Sequence, residues 1–106
     1  MNRMHFIRAS FTSSLTEERF KELNKDDVIG KEQRDGKGIF NDGIKLVLFG
    51  FSETGKVMFE ILAEDIDLKK CKKAYRKFLN AYANKFNEEL VLDIYSQGFT
   101  EFRKGV

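Results

Sequence analysis

The stretch from Asp65 to Asn87 constrains this chain most, because its side chains switch between apolar and basic with the period of an α-helix. Leu68, Cys71, Tyr75, Phe78, Tyr82 and Phe86 recur every three or four residues, and Ala74, Leu79 and Ala81 widen the stripe. Opposite them lie Lys69, Lys70, Lys72, Lys73, Arg76 and Lys77, while Asp65 or Asp67 stands where an N-cap acceptor satisfies the free amides of a first turn. The spacing predicts one long helix over about 65–87, with one face buried against the only core and the other wet and positive. Six cations in the early turns oppose the helix macrodipole by roughly 0.3–1 kcal/mol each, so packing must tolerate them or an anionic surface must use them.

A helix of this kind needs a sheet to lie on, and the chain is long enough for one. Its 106 residues suit a single domain, 1–106, and 42% hydrophobic content with 11 Phe and 3 Tyr supplies the side chains of one core. Net charge is only +2; since residues 69 to 77 hold six cations and no anion, the rest of the chain carries +2 − 6 = −4, and the basic block is local. The single cysteine, Cys71, excludes an internal disulfide and a multi-cysteine metal site, and its place on the apolar stripe makes it a core residue. No apolar run approaches the ~18 residues of a membrane span, and the start lacks a long apolar h-region, so a cytoplasmic, reducing setting is expected.

Taken in order, Met4 to Phe11 alternates as a strand, with Ile7, Ala9 and Phe11 on one side. Ser14-Leu15-Thr16-Glu17 has capping-box spacing and opens a short helix over about 15–23. Val28 and Ile29 begin a weak edge strand. Asp35-Gly36 and Asn41-Asp42-Gly43 are hairpin signals, because Gly, Asn and Asp tolerate positive φ. Ile44 to Phe51 is the near-continuous apolar run of a strand covered on both faces, and Val57 to Ala63 returns beside it. Leu90, Val91, Leu92, Ile94 and Tyr95 suit a strand or a helical turn; a short helix or turn is the preferred reading, broken by Gly98, with Phe99 and Phe102 docking back on the core. The expected class is α+β, an antiparallel β-meander carrying one long and one short helix. Exposed edges are expected at Val28 to Lys31 and at Met4, an easy route to a homo- or heterodimer.

Motifs for chemistry are weak. Gly50-Phe51-Ser52-Glu53-Thr54-Gly55-Lys56 fits GxxxxGK after a strand, yet Val57 stands where a P-loop needs the Ser or Thr that holds magnesium, and the residues beyond it alternate as a strand does. A hairpin turn accounts for it better. His5 is the only histidine and sits at a strand end; Glu60, Glu64, Asp65 and Asp67 are explained by capping and solvation at a strand–helix junction. No catalytic, cofactor or metal residues are therefore expected. The basic block fits acidic protein, anionic lipid or nucleic acid, although Tyr75 and Tyr82 fall on the apolar side and are poorly placed to stack on bases.

The strands Lys45 to Phe51 and Val57 to Ala63, the junction Glu64-Asp65-Ile66-Asp67, the helix ending Phe78-Leu79-Asn80-Ala81-Tyr82-Ala83-Asn84-Lys85-Phe86 and the tail Glu89–Tyr95 with Gly98–Phe102 together resemble the second half of the longin and roadblock (SNARE-like) domains, over roughly residues 38–102. The resemblance implies a five-strand antiparallel sheet sandwiched by helices, no catalysis, and a binding platform for a small GTPase, an adaptor, or a coat or trafficking subunit, possible peripheral membrane contact included. The docking residues expected from the charge pattern are Lys69, Lys70, Lys72, Lys73, Arg76 and Lys77. Two alternatives stay open: a nucleic-acid-associated or mobile-element regulator using the same face, and a degenerate nucleotide-binding protein.

Overall fold

The computed structural model describes residues 2–30, 32–34, 40 and 43–102. Five strands and two helices follow in the order β1 (Asn2–Thr16), α1 (Glu17–Leu23), β2 (Glu32–Arg34), β3 (Ile44–Phe51), β4 (Lys56–Asp65), α2 (Leu68–Phe86) and β5 (Leu90–Phe102). The strands form one antiparallel sheet in the order β2-β3-β4-β1-β5. The α+β class and the β3–β4 hairpin leading into a long helix are as the sequence implies.

Period-two alternation sets the inner face. Ile7, Ala9 and Phe11 on β1 lie opposite Ala63, Ile61 and Phe59 on β4, and all six are buried. From β4 the same face continues to Val47 and Phe49 on β3. α2 lays Cys71, Ala74, Phe78, Ala81, Tyr82 and Phe86 onto it. Phe20 of α1 meets Phe49, Phe59 and Phe86 at ring-centroid distances of 5.1, 5.8 and 5.5 Å, so both helices share one side of the sheet. No helix among the described residues covers the other side. The sandwich expected from the resemblance is therefore a two-layer stack, and β3, with Leu46 and Leu48 half-buried, is fully covered on one face only.

Three local readings are corrected. First, β1 runs on to Thr16, because Ser13 and Leu15 keep its inward alternation; the N-cap of α1 is Thr16, whose Oγ1 accepts from Arg19 N at 3.1 Å, and Ser14 instead donates to the Glu88 carboxylate. The first amide of α1, Glu17 N–H, donates to Gly55 O at 2.7 Å, which ties the helix to the β3–β4 turn. Second, Val28 and Ile29 form no strand. Asn24 grips Ile29 from both sides, Nδ2 donating to its carbonyl at 2.8 Å and Oδ1 accepting its N–H at 2.9 Å, and this buries Ile29 without a ladder.

Third, Leu90–Phe102 is a 13-residue strand and not a helix or turn. Asn87 ends α2 in the left-handed conformation at φ 52°, which turns the chain back along the open side of β1. Gly98 does not break this strand: a Cβ there would lie 3.0 Å from the Phe6 ring, so the glycine makes room for Phe6 across the pair. Phe99 stays 46% exposed against His5 and does not dock on the core. The edge expected at Met4 is present: Asn2, Arg3 and Met4 run past the end of β4 and pair with β5 alone, although from His5 on β1 lies between β4 and β5. Asp35-Gly36, Asn41-Asp42, Lys31 and the Phe102 side chain lie outside the described residues, but Gly43 has the positive φ, 78°, that its turn signal requires.

One buried polar pair spans the core. Ser13 Oγ and Tyr82 Oη are 2.6 Å apart, and Ser13 Oγ also accepts Leu15 N–H at 3.2 Å. Burial, helped by the Glu88 charge and opposed by the Ser13 hydrogen bond, pushes the Tyr82 phenol up from 10.0 to about 12. Folded Tyr82 thus keeps its proton where the unfolded chain has lost it, so stability should fall as pH rises from about 10 to about 12. Denaturant unfolding across that window should show a shallower fall for Tyr82→Phe. Separately, Asn24→Ala should lower stability by ~2–4 kcal/mol in the same assay, because it strands the Ile29 N–H and C=O in a buried site.

Candidate functional site

The basic face of α2 is built by its own amphipathicity. At about 100° per residue, Lys72, Arg76, Lys69, Lys73, Lys77 and Lys70 follow one another around roughly 160° of the helix, opposite the buried stripe. Five of them are exposed and Lys72 is half-buried. Among the described residues, Lys69, Lys70, Lys72, Lys73 and Arg76 have no carboxylate within ion-pair range. Cys71, Ala74 and Phe78 seat this part of the helix on the sheet, so the cations form one outward-facing positive ridge.

Asp67 caps α2, accepting Lys69 N–H at 2.9 Å, and Asp65 Oδ1 accepts Asp67 N–H at 2.8 Å, which steers the chain from β4 into the helix. Of the two carboxylates considered as caps, Asp67 is the N-cap and Asp65 braces the turn before it. Glu60 faces Arg8 at 3.8 Å and Glu64 faces Lys45 at 3.9 Å, both exposed surface pairs of small energetic weight. The junction carboxylates are thus placed by capping and pairing. Asp65 also lines a shallow cleft of about 260 Å³ with Gly43, Lys70, Lys73, Ala74 and Lys77. Gly43 lets the chain pass close to α2 there, since a Cβ would come within 2.8 Å of the Ala74 Cβ.

The other sequence candidates resolve locally. Ser52-Glu53-Thr54-Gly55 is a tight hairpin, with Ser52 N–H donating to Lys56 O at 2.8 Å and Gly55 at φ 77°, and Lys56 opens a strand where a phosphate-binding loop would open a helix. His5 is half-buried at the strand pair β1–β5, its ring 5.9 Å from that of Phe99. Tyr82 is buried, and Tyr75 is half-buried between the rings of Phe11 at 6.0 Å and Tyr95 at 5.5 Å. Cys71 is buried, its thiol donating to Ala63 O at 3.3 Å; burial, then the negative charge of Asp65, raise its pKa above 9.0.

One concavity escapes a reading of the sequence. A cleft of about 570 Å³ opens between α1 and the end of β3, floored by Phe20, Phe49 and Phe51 and rimmed by Lys21, Lys25 and Asp27. Its two walls stand about thirty residues apart and meet only because α1 folds onto the sheet, so no local spacing announces it. Among the described residues β2 pairs with Leu46, Val47 and Leu48 of β3.

No protein-family model, no curated protein and no solved structure matches this chain. No helix among the described residues is long and apolar enough to cross a membrane.

A buried thiol with a raised pKa reacts slowly, because the thiolate is the nucleophile. Cys71 in the native protein should be alkylated by iodoacetamide at least roughly a hundredfold more slowly than in the urea-unfolded chain. Comparable rates, read by mass spectrometry, would place the thiol at the surface and contradict this packing.

Proposed function

We propose that this chain is a non-enzymatic interaction module of longin/roadblock-like type, a platform for an acidic protein partner of the small-GTPase, adaptor or coat class, working in the cytoplasm and in part against an anionic membrane surface. One observation carries the reading: a single helix face presents Lys69, Lys70, Lys72, Lys73, Arg76 and Lys77 together, and five of these lack a described carboxylate in reach. Cations set in the early turns work against the helix dipole, so an external anion gains from them what an internal carboxylate does not neutralise. Each basic residue near an anionic bilayer contributes about 1 kcal/mol, enough for six together to give reversible attachment. The protein and membrane reading is favoured over nucleic acid because Tyr82 is sealed in the core and Tyr75 is wedged between two rings, so neither is free to stack on a base.

The test is charge reversal at exposed positions, Lys69→Glu, Lys73→Glu and Arg76→Glu together, which leaves the buried stripe intact. Co-sedimentation with phosphatidylserine-containing vesicles, and titration against a panel of purified small GTPases, should both be read. Wild type should bind at least one of the two, and the triple variant should bind at least tenfold more weakly with a melting temperature no lower than that of wild type, since glutamates near the start of α2 suit the helix dipole. Equal binding by wild type and variant would sink the proposal.

A further inference from the structure

The exposed apolar side chains of this protein are concentrated on one strand. Of the seven large hydrophobic residues left exposed among the described residues, five stand on β5: Val91, Leu92, Ile94, Tyr95 and Phe99. β5 is also an edge, hydrogen-bonded to β1 on one side only.

These five residues lie on both faces of the strand. Leu92, Tyr95 and Phe99 are opposite Phe11, Ala9 and His5, on the side that carries the helices, and remain 48, 43 and 46% exposed. Val91 and Ile94 are opposite Thr12 and Ser10, on the bare side, and remain 62 and 64% exposed. A partner resting on either face would leave the other set in water. Only a partner lying along the edge touches both.

The edge also lacks the usual protection. Soluble proteins blunt edge strands with lysine, proline or a short span, whereas Leu90–Phe102 has neither residue type over 13 positions, and its only charges are Asp93 and Glu101. Its one irregularity is the register shift at Ser10/Phe11, beyond which pairing with β1 is regular from Ile94 to Phe102.

We propose that β5 is a self-pairing edge, joining two copies of this chain antiparallel about a two-fold axis into one ten-stranded sheet. Size is the first reason for a second copy. Thirteen residues at ~3.4 Å per residue give an edge about 44 Å long, and with a layer ~10 Å deep two such edges hide roughly 900 Å² over both partners, the size of a weak, concentration-dependent association of two such chains. Self-complementarity is the second. In the register centred on Gln97, Tyr95 stands opposite the copy's Phe99 and Ile94 opposite its Thr100, each pair on one face of the joint sheet, while Asp93 and Glu101 meet only towards the two ends, where both are exposed to water and their repulsion is small. Net charge is the third, since +2 per chain offers little overall repulsion. The proposal is independent of the basic face of α2, which lies on one surface of the sheet and not along this edge.

The test is sedimentation equilibrium from about 1 to 200 µM on wild type, Ile94→Lys and Met58→Lys, with circular dichroism as the check of folding. Met58 is exposed on the same bare face but on β4, inside the sheet. The expected result is a wild-type dimer, at least tenfold weaker dimerisation in Ile94→Lys, and no change in Met58→Lys. A second measurement does not depend on a destabilising charge: with Cys71→Ala as background, Gln97→Cys should form an interchain disulfide on mild oxidation, and Glu60→Cys should not. A wild-type monomer at 200 µM would overturn the proposal. Equal loss in Met58→Lys and Ile94→Lys, pointing to a face-docked dimer, or capture of an extended peptide by β5 with the chain monomeric, would overturn it too.

Discussion

The whole architecture depends on the aromatic contact between the inner face of the sheet and α2. Phe59, in the middle of β4, meets Tyr82 at 5.1 Å, Phe20 at 5.8 Å and Phe78 at 6.4 Å, and Phe86 stacks on both Tyr82 and Phe20. Each ring brings some 150–250 Å² of surface out of water, and the tilted and edge-on geometries add modest attraction to that burial. This cluster fixes three elements at once: it seats α2, it draws the short α1 onto the sheet, and it decides which side of the sheet is inside. A seven-residue helix such as α1 has too few internal bonds to persist alone, so Phe20 is what gives it a place.

With α2 anchored on one face, everything basic on it is forced outward as a unit. The ridge of cations follows from the same 3.6-residue period that buries Phe78 and Phe86, and no separate device is needed to present it. The polar groups that do enter the core are satisfied: Ser13 and Tyr82 bond each other, and Asn24 closes on Ile29 with two hydrogen bonds. Such pairs favour one arrangement over its neighbours, because a slip of one residue along β1 would strand both hydroxyls.

The two-layer stack leaves different debts on its remaining surfaces. The bare face of the sheet carries Arg8 and Glu60 among half-buried Phe6, Leu48 and Leu62, a mixed surface that water tolerates. The β5 edge is different in kind, since its apolar groups are exposed on both faces of one continuous strand and its backbone faces outward. β1 and β5 also reach beyond β4, whose register with β1 stops at His5, so Asn2, Arg3 and Met4 pair with Phe102, Glu101 and Thr100 as a two-stranded ribbon. Arg3 stiffens it from one side, its guanidinium 4.4 Å from the centre of the Phe99 ring and 3.5 Å from the Glu101 carboxylate.

By itself the sequence determined the periodic elements: the α2 stripe and its basic face, the inward alternation of β1 and β4, the β3–β4 hairpin and the burial of Cys71. These are legible because period 2 and period 3.6 are written in neighbouring residues, and the positive face of α2 needs no tertiary knowledge to be seen. Only the tertiary structure decided the fate of Leu90–Phe102, the true cap of α1, the folding of Ile29 inward and the placing of both helices on one side. Except for Ile29, which Asn24 holds from five residues away, the deciding partner in each of these is far along the chain. β1 offered an open edge that turned an ambiguous apolar run into a strand; burial of Leu15 moved the start of α1 from Ser14 to Thr16; and the aromatic cluster, not any local signal, chose which face of the sheet to cover.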